Sequence, residues 1–78
     1  MTTKAVYKAM DLDELTTLML LVDKDDDITQ HLTDEQRGEL ENQCKKFTAE
    51  FWEDEKRDPT FNEWTEARAR ILLTFLQE

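Results

Sequence analysis

Three stretches of the chain repeat apolar residues with the period of an α-helix, and each follows a residue suited to a helix N-cap. The predicted helices span about 11–22, 33–56 and 60–77. Asp11, Thr33 and Thr60 each stand three residues before a Glu or Gln, which is the spacing of a capping box. The pattern predicts an all-α fold, a small three-helix bundle that forms one domain over residues 1–78. Residues 4–10 add either a short N-terminal helical turn or an arm that packs Val6, Tyr7 and Met10.

The apolar stripes of the second and third predicted helices indicate which sides face the core. The second stripe comprises Leu40, Cys44, Phe47 and Phe51. The third comprises Phe61, Trp64, Ala67, Ile71, Leu72, Phe75 and Leu76.

Arg68 falls inside the third stripe, where two arrangements of its side chain are open. Either its stem lies along the core edge with the charge in water, or the guanidinium pairs with an acid of helix one or two or of a partner.

Some apolar residues exceed what three helices readily bury. The first predicted helix ends in the run 18–22, which is apolar on every side. Trp52 lies off the second stripe, where it either contacts a partner or covers the edge of the core. This excess favours self-association, including a possible homodimer, or binding to another protein.

Gly38 lies early in the second predicted helix. It indicates either the close approach of another backbone or a tolerated loss of helix stability.

The charge narrows the possible partners. The chain has 19 acidic and 10 basic residues and a net charge of −9, which opposes direct binding to nucleic acid or to anionic membranes. Its longest apolar run is far too short for a bilayer span. The single cysteine, Cys44, excludes an internal disulfide, and we expect an intracellular, cytoplasmic setting.

The acidic stretch DKDDDITQHLTD, residues 23–34, has nearly the spacing of a calcium-binding loop. With LTDEQ it resembles an EF-hand of the calmodulin-like proteins over about a dozen residues. Asp23, Asp25 and Asp27 match positions 1, 3 and 5, but Ile28 occupies the position that requires Gly, and Asp34 replaces the bidentate Glu. We therefore predict a solvated turn without a bound metal.

Catalytic machinery is also missing from the sequence. The absence of serine excludes a Ser-His-Asp triad and the phosphopantetheine attachment of an acyl carrier protein, and one Gly cannot form a phosphate loop. Cys44 and His31 are the remaining nucleophilic pair, and Cys44 lies within an apolar stripe, where a buried thiol is expected. The prediction is a protein that is not an enzyme and carries no cofactor.

The favoured hypothesis is a small acidic protein–protein interaction module. It would act as a regulator or inhibitor of antitoxin or phage type, binding stoichiometrically to a basic or nucleic-acid-binding protein. The alternatives are a DNA mimic and a structural subunit of a larger complex. The predicted partner-binding residues are Asp25, Asp26, Asp27, Glu41, Trp52, Glu53 and Asp54.

Overall fold

The computed structural model describes residues 3–22 and 24–78, and these residues form five α-helices. They are α1 (Lys4–Ala9), α2 (Leu12–Leu21), α3 (Asp25–Thr29), α4 (Asp34–Glu55) and α5 (Phe61–Leu76). The three longest, α2, α4 and α5, correspond to the predicted helices, so the all-α class is confirmed. Helix α1 corresponds to the predicted N-terminal turn, and its Tyr7 is fully buried whereas Val6 is exposed.

Each of the three long helices begins with the predicted capping box. The reciprocal pairs are Asp11 with Glu14, Thr33 with Gln36 and Thr60 with Glu63. In the first pair, the Glu14 amide donates to Asp11 Oδ1 at 2.7 Å, while the Asp11 amide donates to Glu14 Oε1 at 3.3 Å. Each box satisfies two amides that the helix itself leaves unpaired, which explains why the helices begin at these residues.

The segment predicted as a solvated turn contains helix α3, so that part of the prediction is wrong. Ile28 in α3 is fully buried and Leu32 just after it is also buried. Three consecutive aspartates in the first turn suit the positive end of the helix dipole. A helix of five residues is not stable by itself, so the burial of Ile28 must hold it in place. Asp23 lies outside the described residues.

The core draws on every helix. Among the described residues, the largest fully buried side chains are Tyr7, Leu15, Ile28, Leu40, Leu72 and Leu76. Helix α5 is central, because α1, α2 and α4 all pack against it.

The buried face of α5 shares Leu72, Phe75 and Leu76 with the predicted stripe and differs from it elsewhere. It comprises Thr65, Arg68, Ala69, Leu72, Phe75 and Leu76. Phe61 shares this direction but is 66% exposed in the first turn of α5, where it lines a surface groove with Met19 and Leu20 of α2. Ala67 and Ile71 lie to one side of the buried face, where they line a surface groove together with Phe47 of α4.

Helix α4 ends in a left-handed residue. Lys56 has φ 57° and ψ 33°, and its amide donates to the Trp52 carbonyl at 2.8 Å. A side chain in this conformation costs roughly 1 kcal/mol relative to glycine. The reversal lets the chain turn within residues 56–60 and lay α5 back along α4.

Gly38 has no structural role that requires the absence of a side chain. A Cβ built at this position meets no atom of the described residues within 4 Å, which excludes the close backbone approach considered from the sequence. Gly38 lies within α4 and lacks a positive φ.

We therefore expect Gly38→Ala to raise the free energy of unfolding by about 1 kcal/mol, since alanine loses less backbone entropy in a helix. Urea denaturation followed by circular dichroism would measure the change. Ala49→Gly, at an exposed position of the same helix, should lower stability by a similar amount. A destabilising Gly38→Ala would contradict the inference.

Candidate functional site

A buried arginine occupies the centre of the most elaborate polar contact. The Arg68 side chain is only 7% exposed. Its Nε donates to Asp25 Oδ1 at 2.7 Å and its Nη2 to Asp25 Oδ2 at 3.0 Å. Its Nη1 donates to Glu41 Oε1 at 3.1 Å and to Cys44 Sγ at 3.5 Å. The guanidinium carbon also lies 5.3 Å from the centre of the Trp64 ring. Helices α3, α4 and α5 therefore meet at one charge.

The electrostatics of this cluster keep its arginine charged and its cysteine protonated. Burial alone would lower the pKa of Arg68, but the hydrogen bonds and charge of Asp25 outweigh it, and the pKa lies above its usual value. Burial raises the pKa of the Cys44 thiol, and the hydrogen bond from Arg68 only partly opposes this. A thiol of this kind is a poor nucleophile at neutral pH.

Of the two arrangements open for Arg68, the ion pair is correct and the charge in water is wrong. Glu41 belongs to the second predicted helix, as one form of that hypothesis required. Asp25 comes from the segment predicted as a turn, and its bidentate geometry is the strong form of an arginine–carboxylate pair.

A second aspartate of α3 anchors α1. The Tyr7 hydroxyl donates to Asp27 Oδ2, and Gln30 Nε2 donates to Asp27 Oδ1 at 2.8 Å. The rings of Tyr7 and His31 lie 5.9 Å apart in a tilted arrangement. Helix α3 is thus held from two sides, through Asp25 to α5 and through Asp27 to α1.

The predicted partner-binding residues divide into two groups. Asp25, Asp27 and Glu41 take part in contacts within the fold, whereas the Asp26 side chain is exposed on α3. The other group lies near the C-terminal end of α4. Glu41 and Trp52 are separated by about 16 Å along this helix, at 1.5 Å per residue, so the two groups lie about three helical turns apart on α4.

The C-terminal end of α4 presents an exposed tryptophan among acids. Trp52 is 50% exposed, and its neighbours Glu53 and Asp54 are exposed as well. Glu53 pairs loosely with Lys56, at 3.9 Å between Oε2 and Nζ. Asp54 takes part in none of the ion pairs of the described residues.

The turn after α4 is fixed by another ion pair. Arg57 donates from Nη1 and Nη2 to the two carboxylate oxygens of Glu63, at 2.9 and 3.2 Å. Its guanidinium carbon lies 4.8 Å from the centre of the Phe51 ring. The hydrogen bond from Arg57, followed by that from the Thr60 amide, lowers the pKa of Glu63 to about 2.

The structure contains two apolar grooves that the sequence pattern did not locate. One, of about 370 Å³, lies between α2 and α5 and is lined by Met19, Leu20, Asp25, Phe61, Trp64 and Thr65. The Thr65 hydroxyl is buried and has no hydrogen-bond partner among the described residues. The other groove, of about 500 Å³, runs along the side of α2. The apolar run 18–22 was the available signal for both, but a sequence cannot show which of its sides the core leaves uncovered.

The described residues offer no group of three or more His, Cys, Asp or Glu side chains that could hold a metal ion. None of the described helices has both the length and the apolar character of a membrane span.

In comparisons with known proteins, no family model, curated protein or solved structure matches the chain.

Removing the bidentate partner of Arg68 should destabilise the fold. We expect Asp25→Ala to lower the free energy of unfolding by about 2 to 3 kcal/mol, because a buried guanidinium would keep only the Glu41 carboxylate. Urea denaturation measures this loss. Asp26→Ala is the matched control, since it removes a neighbouring exposed carboxylate from the same helical turn and should cost less than about 0.5 kcal/mol. Equal losses for the two variants would contradict a specific role for Asp25.

The Glu63 ion pair should also make stability depend on pH. Its pKa is about 2 in the folded protein and about 4.5 in its ordinary state, so the stabilisation is complete above pH 4.5 and is lost as the pH falls towards 2. Glu63→Gln keeps an oxygen for the capping box but removes the charge. The stability difference between the two proteins, measured by urea denaturation from pH 6 to pH 2, should therefore shrink as the pH falls. Glu66→Gln on the same helix is the control, and a difference that stays constant with pH would contradict this account.

Proposed function

We propose that this protein is a small acidic helical module that binds another protein stoichiometrically and regulates or inhibits it. The partner would present a basic surface, such as the nucleic-acid-binding face of a protein. The observation that carries the proposal is the exposed Trp52 beside Glu53 and Asp54 on a chain of net charge −9.

The exposed tryptophan supports an anchoring role. Half of its surface remains in water although the domain is small and has few large aromatic residues with which to build its core. Tryptophan is enriched among the residues that contribute most to protein–protein binding, because one side chain buries a large apolar area.

The charge around Trp52 supports a basic partner. The exposed acids in this part of the chain are Glu50, Glu53, Asp54, Glu55 and Asp58. They exceed the nearby cations, among which Arg57 is already held by Glu63. A negative surface of this kind accelerates the encounter with a positive one and disfavours acidic partners.

Contacts within the fold reduce the number of predicted partner-binding residues that are available to a partner. Because Asp25 and Asp27 stabilise the position of α3, and Glu41 pairs with Arg68, the proposed recognition surface rests on Trp52, Glu53 and Asp54, with Asp26 as a separate exposed charge.

The test is affinity capture of the partner from the source cells, followed by binding measurements with the purified pair. We expect Trp52→Ala to weaken binding about 30-fold, as for a hot-spot residue, and Asp54→Lys to slow association in a salt-dependent way. Glu66→Lys, a charge reversal at an exposed position of α5, should have a much smaller effect. Failure to capture a partner whose binding depends on Trp52 would contradict the proposal.

A further inference from the structure

A second exposed apolar surface lies on α2, and Trp52 is not among the residues that line it. The groove along this helix is lined by Met10, Asp13, Glu14, Thr17, Leu18, Leu21 and Val22. Glu14, Leu18 and Leu21 stand at i, i+4 and i+7, so they form one stripe along the helix. Leu15, which is fully buried, defines the neighbouring side of α2 that faces the core.

The residues that line this groove include two largely exposed aliphatic side chains at the C-terminal end of α2. Leu21 is 78% exposed and Val22 is 50% exposed. Adjacent exposed aliphatic residues that form a groove, with polar residues at its edge, are typical of a protein-binding surface. A shallow apolar surface that follows one side of a helix suits another helix, whose apolar side chains follow the same spacing.

The polar lining indicates the charge of the occupant. Asp13 and Glu14 line the N-terminal end of the groove, and none of its described lining residues is a lysine or arginine. A second copy of the chain would add a further net charge of −9 against this surface. A partner with lysines or arginines flanking its apolar face is electrostatically complementary instead.

We infer that the α2 groove binds an amphipathic helix with a basic rim, contributed by the partner protein. Its apolar residues lie against Leu18, Leu21 and Val22, and its cations lie near Asp13 and Glu14. The groove follows the 10 residues of α2, or about 15 Å, so it accommodates about three turns of the bound helix. This inference rests on the proposed function and adds the structural element by which the partner is recognised.

The experiment uses two synthetic 18-residue helical peptides as probes. They share an apolar face of leucines, but one has lysines and the other glutamates on its polar face. Binding to the full chain is measured by fluorescence anisotropy near physiological salt, and its location by amide chemical-shift changes in the isotope-labelled chain. We expect the lysine peptide to bind at least tenfold more tightly than the glutamate peptide and to shift amides of residues 10–22.

Two matched variants separate groove binding from general attraction to an acidic protein. Leu21→Asn should weaken the lysine peptide at least tenfold, and Phe61→Asn, which alters another largely exposed apolar residue, should leave its affinity unchanged. Both side chains are mostly in water, so both variants should fold. Equal effects of the two variants, or shifts spread over the acidic surface, would overturn the inference.

Two further outcomes distinguish this inference from the proposed function. If sedimentation shows a dimer that Leu21→Asn dissociates, the occupant is a second copy and the inference is wrong. If the natural partner depends on Trp52 but is insensitive to Leu21→Asn, the proposed function stands and the helix-binding groove does not. If the lysine peptide binds the groove but no natural partner depends on Trp52, the α2 groove binds basic helices and the proposed role of Trp52 is wrong.

Discussion

The burial of one guanidinium governs how this small domain is assembled. Arg68 lies on the face of α5 that all the other long helices need for apolar packing, so its charge cannot reach bulk water. An unpaired charge there would be far more costly than the pair, and the structure brings Asp25 and Glu41 to it from two different helices. The position of α3 follows from this requirement together with the burial of Ile28.

The acidity of the chain consequently serves two purposes. On α3 and in the middle of α4, carboxylates neutralise Arg68 or accept a hydrogen bond from Tyr7. Near the end of α4 and along α2, carboxylates border exposed apolar side chains instead. The second kind, like the exposed Asp26 of α3, is available to another molecule without disturbing the fold. Asp25, Asp27 and Glu41 are already engaged within the fold, so net charge alone overstates the negative charge that can steer a partner.

The elements of the fold that depend on local chemistry were predictable. Asp11, Thr33 and Thr60 marked helix starts correctly because a capping box needs only residues three apart. Helix α3 was not predictable in this way, since its stability depends on contacts of Ile28 and Asp25 with residues distant in the sequence. For the same reason, the pattern placed Arg68 in the apolar face but could not choose between water and a carboxylate. The position of Trp52 off the apolar stripe allowed either an exposed side chain or one that covers the core edge, and the structure leaves it 50% exposed. The sequence pattern could not show which acids the fold itself uses, because those contacts join residues distant in the chain.

The spacing of the contacts to Arg68 along the chain has a consequence for the order of folding. Glu41 is 27 residues from Arg68, whereas Asp25 is 43 residues away. Because closing a shorter loop loses less chain entropy, the α4–α5 hairpin is the more accessible early structure. If α4 and α5 pair first, Glu41 would face the guanidinium and partly neutralise it before the N-terminal segment docks. The late arrival of Asp25 would then convert a loosely paired hairpin into the closed domain.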